Sequence, residues 1–169
     1  MNDIFLDSVD RFGGRPAIID GERTLTYAEF GGSVKSMAAF LAARGVGKGD
    51  KVAILLPNSI EFAAAFYASS SLGAVSVPIN NLCKEDEIRF YVTDSGTRVL
   101  LTDAALRKTA EKAVSGSGAG VAVIRGRGAD WVSGAAETGS PAPADIEPDA
   151  DAIYLYSTGS TGKPKRVAR

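Results

Sequence analysis

The sequence predicts an α/β fold in which alternating strands and helices build a mainly parallel sheet, preceded by an N-terminal β-hairpin. Three observations carry that expectation. Short continuous apolar runs, of which Val52-Ala53-Ile54-Leu55-Leu56 is the clearest, have the composition of strands covered on both faces. Between such runs lie stretches of helical length whose apolar residues recur at helical spacing behind capping residues, and crossovers of that kind make neighbouring strands parallel. Finally, 169 residues with 45% apolar side chains are enough to bury one core of their own.

Taken in order, Ala17-Ile18-Ile19 and Thr24-Leu25-Thr26 flank an Asp20-Gly21 turn and read as a hairpin. The helix that follows has a full set of start signals. Thr26 caps it, Glu29 closes a capping box, and Leu25 and Phe30 stand where a hydrophobic staple places them. Phe30, Val34, Met37, Ala38 and Leu41 share one face, and Arg44-Gly45 ends the helix. A strand over 51–56 stops at Pro57. Asn58 and Glu61 are then expected to box a helix running through Phe62 and Phe66 to Leu72, with Gly73 closing it. A strand over 75–79 leads to a helix whose opening, Glu85-Asp86-Glu87, suits the positive end of its dipole, with Ile88, Tyr91 and Val92 on one side and Gly96 at its end. A strand over 98–101, a helix capped by Asp103 and carrying Leu106, Ala110 and Val114, and a strand over 121–124 complete an α/β core at 1–125. Residues 126–148, rich in Gly, Ala, Ser and Pro, read as a long surface connection with Trp131 as its apolar anchor. In the last segment, 149–169, Ile153-Tyr154-Leu155-Tyr156 is a strand or one arm of a hairpin.

Composition excludes several kinds of chemistry. There is no histidine, so histidine-based triads and histidine metal sites are ruled out. The single cysteine, Cys83, cannot close an internal disulfide or build a thiolate cluster, and reads as incidental. A net charge of −1 offers no electrostatic footprint for nucleic acid. The opening residues lack the basic and apolar regions of a signal peptide, and no run approaches the roughly 18 apolar residues of a membrane span. A reducing cytoplasm is the expected setting.

Chemistry is concentrated where the last strand runs into Ser157-Thr158-Gly159-Ser160-Thr161-Gly162-Lys163-Pro164-Lys165-Arg166. Gly159 and Gly162 permit a sharp turn and leave backbone amides open to a ligand. Ser157, Thr158, Ser160 and Thr161 supply hydroxyl donors, and Lys163 and Lys165 supply charge. Donors and cations on a tight loop after a buried strand make an anion cradle, with polyphosphate as the natural occupant. A P-loop of the form G-x-x-x-x-G-K-[ST] does not fit, because only Ser160 and Thr161 separate Gly159 from Gly162-Lys163 and Pro164 follows the lysine. A merely solvated polar tail would not need this order of residues behind a strand.

This loop resembles the Ser/Thr/Gly-rich signature of the adenylate-forming superfamily: acyl- and aryl-CoA synthetases, luciferases and peptide-synthetase adenylation domains. The upstream order agrees along nearly the whole chain, in Arg15-Pro16-Ala17, Leu25-Thr26-Tyr27-Ala28-Glu29, Gly49-Asp50-Lys51-Val52, Leu56-Pro57-Asn58-Ser59, Leu72-Gly73-Ala74-Val75, Val77-Pro78-Ile79-Asn80 and Asp94-Ser95-Gly96. Those stretches are caps, core and turns, whose role is packing. The resemblance implies that residues 1–169 form part of the N-terminal adenylation domain of an AMP-forming carboxylate–CoA ligase. Ser157, Thr158, Gly159, Ser160, Thr161, Gly162, Lys163 and Lys165 would bind the phosphates of ATP, and no residue of the chain would be a nucleophile, a base or a metal ligand. ATP, Mg2+ held by ligands outside this chain, CoA as the acyl acceptor and a carboxylic acid are the implied small molecules. The chain alone would be inactive, its apolar sheet partly uncovered and prone to self-association. The alternative is a non-catalytic phosphate-binding or scaffold module of the same descent. Arg166 stands where many family members have glycine, and solvent is its expected surroundings.

Overall fold

The computed structural model describes residues 2–126, 129, 131, 141–147, 149–158 and 164–169. Helix α1 spans Asn2–Phe12, and the hairpin follows as β1, Pro16–Asp20, and β2, Arg23–Thr26. Then come α2 (Tyr27–Ala43), β3 (Lys51–Leu55), α3 (Ile60–Ser71), β4 (Val75–Pro78), α4 (Glu85–Ser95), β5 (Thr97–Asp103), α5 (Arg107–Val114) and β6 (Gly120–Arg125). Strands β7 (Tyr154–Thr158) and β8 (Pro164–Ala168) close the chain. Four strands form one all-parallel sheet in the order β4-β3-β5-β6, while β1-β2 and β7-β8 are antiparallel pairs.

The period-two geometry of the strands divides the apolar residues between two cores. On one face Val52, Ile54, Val99, Leu101, Ala122 and Ile124 pack under α2 and α3, together with Phe5 of α1 and the hairpin residues Ile18 and Leu25. On the other face Ala53, Leu55, Val77 and Leu100 meet Ile88 and Val92 of α4 and Ala110, Ala113 and Val114 of α5. Both faces of the sheet are therefore covered by this chain's own helices, which corrects the expectation of a sheet left partly bare. One edge is met as well, since Ser76 donates its N–H to the carbonyl of Ala152 at 3.0 Å and pairs with Ile153 in a parallel bridge.

Local chemistry explains where most elements begin and end. Thr26 accepts from the Glu29 amide at 3.3 Å while Glu29 accepts from the Thr26 amide at 2.8 Å, a reciprocal box of the kind expected. The backbone bond from Thr26, then the Thr26 hydroxyl, hold the Glu29 carboxyl below the usual carboxylate range. Because that pKa is depressed on folding, the box stabilises the fold above the ordinary carboxylate pKa and weakens as pH falls through the lowered one. Gly96 ends α4 at φ 66, a left-handed conformation that spares a Cβ clash.

Three local expectations need correction. The cap of α3 is Ser59, whose hydroxyl accepts from the Phe62 amide at 3.2 Å, and not Asn58. Glu61, freed from any box, is buried and receives Arg23 Nη1 at 2.8 Å and Arg125 Nε at 3.6 Å, tying the hairpin and the end of β6 to the start of α3. Asp103 caps a turn one step early, accepting from the Leu106 amide at 2.9 Å, so that α5 starts behind Leu106 without a side-chain cap. Helix α1 also goes beyond the sequence reading. Its Phe5 is buried, with its ring 4.5 Å from Tyr67 and 5.4 Å from Phe30. Trp131 anchors its segment as expected, buried and donating its indole N–H to Ser36 Oγ at 3.0 Å.

Candidate functional site

The fold presents the adjoining ends of β7 and β8, which flank the chemistry-bearing segment, at one end of the sheet. Strand β7 runs parallel to β4, as the Ser76–Ile153 bridge shows, so Thr158 lies toward the end where the parallel strands finish. That carboxyl end is where open α/β sheets bind ligands. Beside it, the ends of β3 and β4 form a groove of about 340 Å³ lined by Leu56, Pro57, Asn58, Phe62, Ile79 and Asn80 among others.

Strand β7 pairs with β8 in strict register: Tyr154 with Ala168, Leu155 with Val167, Tyr156 with Arg166, Ser157 with Lys165, and Thr158 with Pro164. The arm expected over 153–156 is thus one side of a complete hairpin. Pro164 opens β8, a strand position where its missing N–H is tolerated, and this agrees with the absence of a P-loop helix after Lys163. Directly paired residues share a face, so Ser157 and Lys165 stand together on one side, both exposed, while Tyr156 and Arg166 stand together on the other. Of the residues assigned to phosphate binding, Ser157, Thr158 and Lys165 flank the loop. Gly159, Ser160, Thr161, Gly162 and Lys163 lie outside the described residues.

The far face of the hairpin is docked on α4. Tyr154 and Tyr156 pack against the second core. The Tyr156 ring lies 4.7 Å from Tyr91 and 6.2 Å from Phe90, and its hydroxyl donates to Asp94 Oδ2 at 2.7 Å. Burial, followed by the bond to Asp94 and that carboxylate's charge, pushes the Tyr156 phenol well above its usual range, so it remains a hydrogen-bond donor at any physiological pH. Arg166 also reaches α4: its Nη1 donates to the Asp94 carbonyl at 2.9 Å, lies 3.5 Å from Oδ2, and its guanidinium sits 4.9 Å over the Tyr154 ring. The expectation that Arg166 merely faces solvent is corrected, for it is half-exposed but tied down at three points.

Cys83 is free and half-buried, and burial together with Glu87 raises its pKa, keeping it a thiol. Among the described residues no group of three or more His, Cys, Asp or Glu is placed to hold a metal ion, and no helix is long and apolar enough to cross a membrane.

Comparison with known proteins places this geometry in a family. The model of the AMP-binding enzyme family matches residues 5–169. The long-chain-fatty-acid–CoA ligase FadD13 of Mycobacterium tuberculosis is 36% identical over 158 residues, covering 85% of this chain and 29% of the ligase. The 4-coumarate–CoA ligase 5 of Oryza sativa subsp. japonica is 40% identical over 161 residues, covering 90% of the chain and 29% of the ligase. Among solved structures, the inhibitor-bound N-terminal domain of FACL13 from Mycobacterium tuberculosis superimposes with a TM-score of 0.85 at 28% identity, over 99% of this chain and 43% of that one. The chain spans under a third of the curated relatives' length, and its α/β fold matches that of the FACL13 N-terminal domain. This chain belongs to the AMP-binding enzyme family.

Proposed function

We propose that the chain is the N-terminal part of an ATP-dependent, AMP-forming carboxylate–CoA ligase, and that its hairpin loop holds the phosphates of ATP. The observation that carries this reading is that Ser157, Thr158 and Lys165 stand at the adjoining ends of β7 and β8, toward the carboxyl end of the parallel sheet, in a chain of this family. The residues there fit a polyphosphate. Ser157 and Lys165 offer an exposed hydroxyl and an exposed ammonium from adjacent strands, and Thr158, Gly159, Ser160, Thr161, Gly162 and Lys163 complete a run of donors and small residues.

In the reaction proposed, a carboxylate oxygen attacks the α-phosphorus of ATP, pyrophosphate leaves, and the thiol of CoA then displaces AMP from the acyl carbon. The loop is neither nucleophile nor base. It fixes the β- and γ-phosphates so that the leaving group is aligned, and its lysines and hydroxyls stabilise charge as it accumulates on departing pyrophosphate. Magnesium, which would neutralise part of the triphosphate charge, takes its protein ligands from outside this chain. The cytoplasm, where a lone thiol stays reduced, suits such an enzyme.

Product identity tests the reading. The full-length protein that carries this chain, given Mg-ATP, CoA and an acid it accepts, yields AMP and pyrophosphate, as followed by phosphorus NMR, whereas the 169-residue chain alone yields neither. ADP and inorganic phosphate as products would overturn the adenylation scheme, and turnover by the isolated chain would overturn its dependence on the remainder of the protein.

A further inference from the structure

Both strands flanking the phosphate loop are fastened to one carboxylate. Tyr156 precedes the loop on β7, Arg166 follows it on β8, and the two are cross-strand partners. Each reaches Asp94 in the last turn of α4: Tyr156 through its hydroxyl at 2.7 Å, and Arg166 through a 2.9 Å bond to the backbone carbonyl and a 3.5 Å approach to the carboxylate. Helix α4 is itself fixed by Ile88 and Val92, fully buried against β5 and α5. The Asp94 carboxylate thus connects a rigid helix to both arms of a hairpin whose opposite face is exposed at Leu155, Ser157 and Lys165.

We propose that Asp94 is a positioning residue for the phosphate loop, acting through Tyr156 and Arg166 to set the angle at which the β7–β8 hairpin leaves α4. The inference rests on the phosphate-binding role proposed for that loop. Three physical points support it. A phenol donating to a carboxylate makes a short charge-assisted bond, stronger than a neutral one. Contact of the Tyr156 ring with both Phe90 and Tyr91 restricts its rotation, so the bond orients β7 as well as tethering it. The guanidinium of Arg166 is held at once by a carbonyl, a carboxylate and the Tyr154 ring, which leaves its strand no freedom to pivot. With glycine at position 166, β8 would lose the Arg166 tie to α4.

The test uses the full-length protein and two readouts. Backbone hydrogen exchange is measured by mass spectrometry in the unmodified protein and in Asp94→Ala, Asp94→Asn and Arg166→Gly. The expected result is exchange about tenfold faster in peptides covering 154–158 and 164–169 for Asp94→Ala, with β3 and β5 unchanged. Asn keeps an acceptor for Tyr156, so Asp94→Asn should fall between. In pyrophosphate–ATP exchange, Asp94→Ala and Arg166→Gly should each raise the KM for ATP by about tenfold, and the double variant should raise it further, because Asp94→Ala leaves the Arg166 bond to the backbone carbonyl and Arg166→Gly leaves the Tyr156 bond to the carboxylate. Hairpin exchange that is unchanged, or that rises equally in the core strands, overturns the positioning role. Loss of protection without any change in KM overturns its link to the phosphates. Absence of pyrophosphate exchange in the unmodified protein would count against the proposed function, while hydrogen exchange would still decide whether Asp94 holds the hairpin.

Discussion

Replacing Lys163 with alanine in the full-length protein is expected to slow acyl-adenylate formation by about two to three orders of magnitude, the consequence of losing about 2–4 kcal/mol of transition-state stabilisation from one charge-assisted donor. Thr161→Ala should act in the same direction with a smaller effect, because a neutral hydroxyl stabilises developing charge less than an ammonium. The decisive feature is the split between half-reactions. If the loop serves the leaving pyrophosphate, transfer of a supplied acyl-adenylate to CoA proceeds at close to the unmodified rate in both variants. Rapid-quench measurement of each half-reaction checks this. Equal losses in both would assign Lys163 a purely structural role.

The second large effect concerns stability. Glu61 is the one buried carboxylate among the described residues. Its Oε1 accepts from Arg23 at 2.8 Å, while its Oε2, 3.6 Å from Arg125, has no hydrogen bond among them. Arg23→Ala removes the one hydrogen-bonded partner and leaves the buried carboxylate with Arg125 alone, at a cost of about 1–3 kcal/mol, below that of a fully unpaired buried charge because Arg125 remains and Arg23 itself is half-exposed. The double variant Arg23→Met with Glu61→Leu should recover most of that loss, since apolar residues of similar size leave no charge to desolvate. Urea unfolding of the three proteins measures both values. A double variant no more stable than Arg23→Ala would mean that the arginine's packing, and not the charge, holds the hairpin to α3.

The frame of the fold was legible because its strands and caps carry local signals. Val52 to Leu55 announce a two-faced strand by composition alone, and Thr26 and Glu29 announce a helix start by spacing. What local reasoning missed has a common cause, which is competition for a side chain by a distant partner. Glu61 has the spacing of a capping residue after Asn58, yet Arg23 and Arg125, far away in sequence, take it. Arg166 has the sequence neighbourhood of a phosphate-binding cation or a solvated one, yet Asp94 takes it. Helix α1 leaves little trace in the sequence although Phe5, Leu6 and Val9 have helical spacing, because its apolar stripe is short and acquires meaning only against Tyr67 and Phe30. The site divides in the same way. The proposed phosphate loop is visible as a run of glycines, hydroxyls and lysines, whereas the Tyr156–Asp94–Arg166 arrangement between β7, β8 and α4 joins residues from separate elements and has no signature in sequence.

The central claim, that this chain contributes the phosphate loop of an adenylate-forming ligase, is tested most directly by acid-dependent exchange of labelled pyrophosphate into ATP. The full-length protein, offered fatty, aromatic and short-chain carboxylic acids in turn, is expected to incorporate label only when an acceptable acid is present and without any need for CoA, because adenylation is reversible before the thiol enters. A well-folded full-length protein that incorporates no label with any acid in the panel would contradict the account.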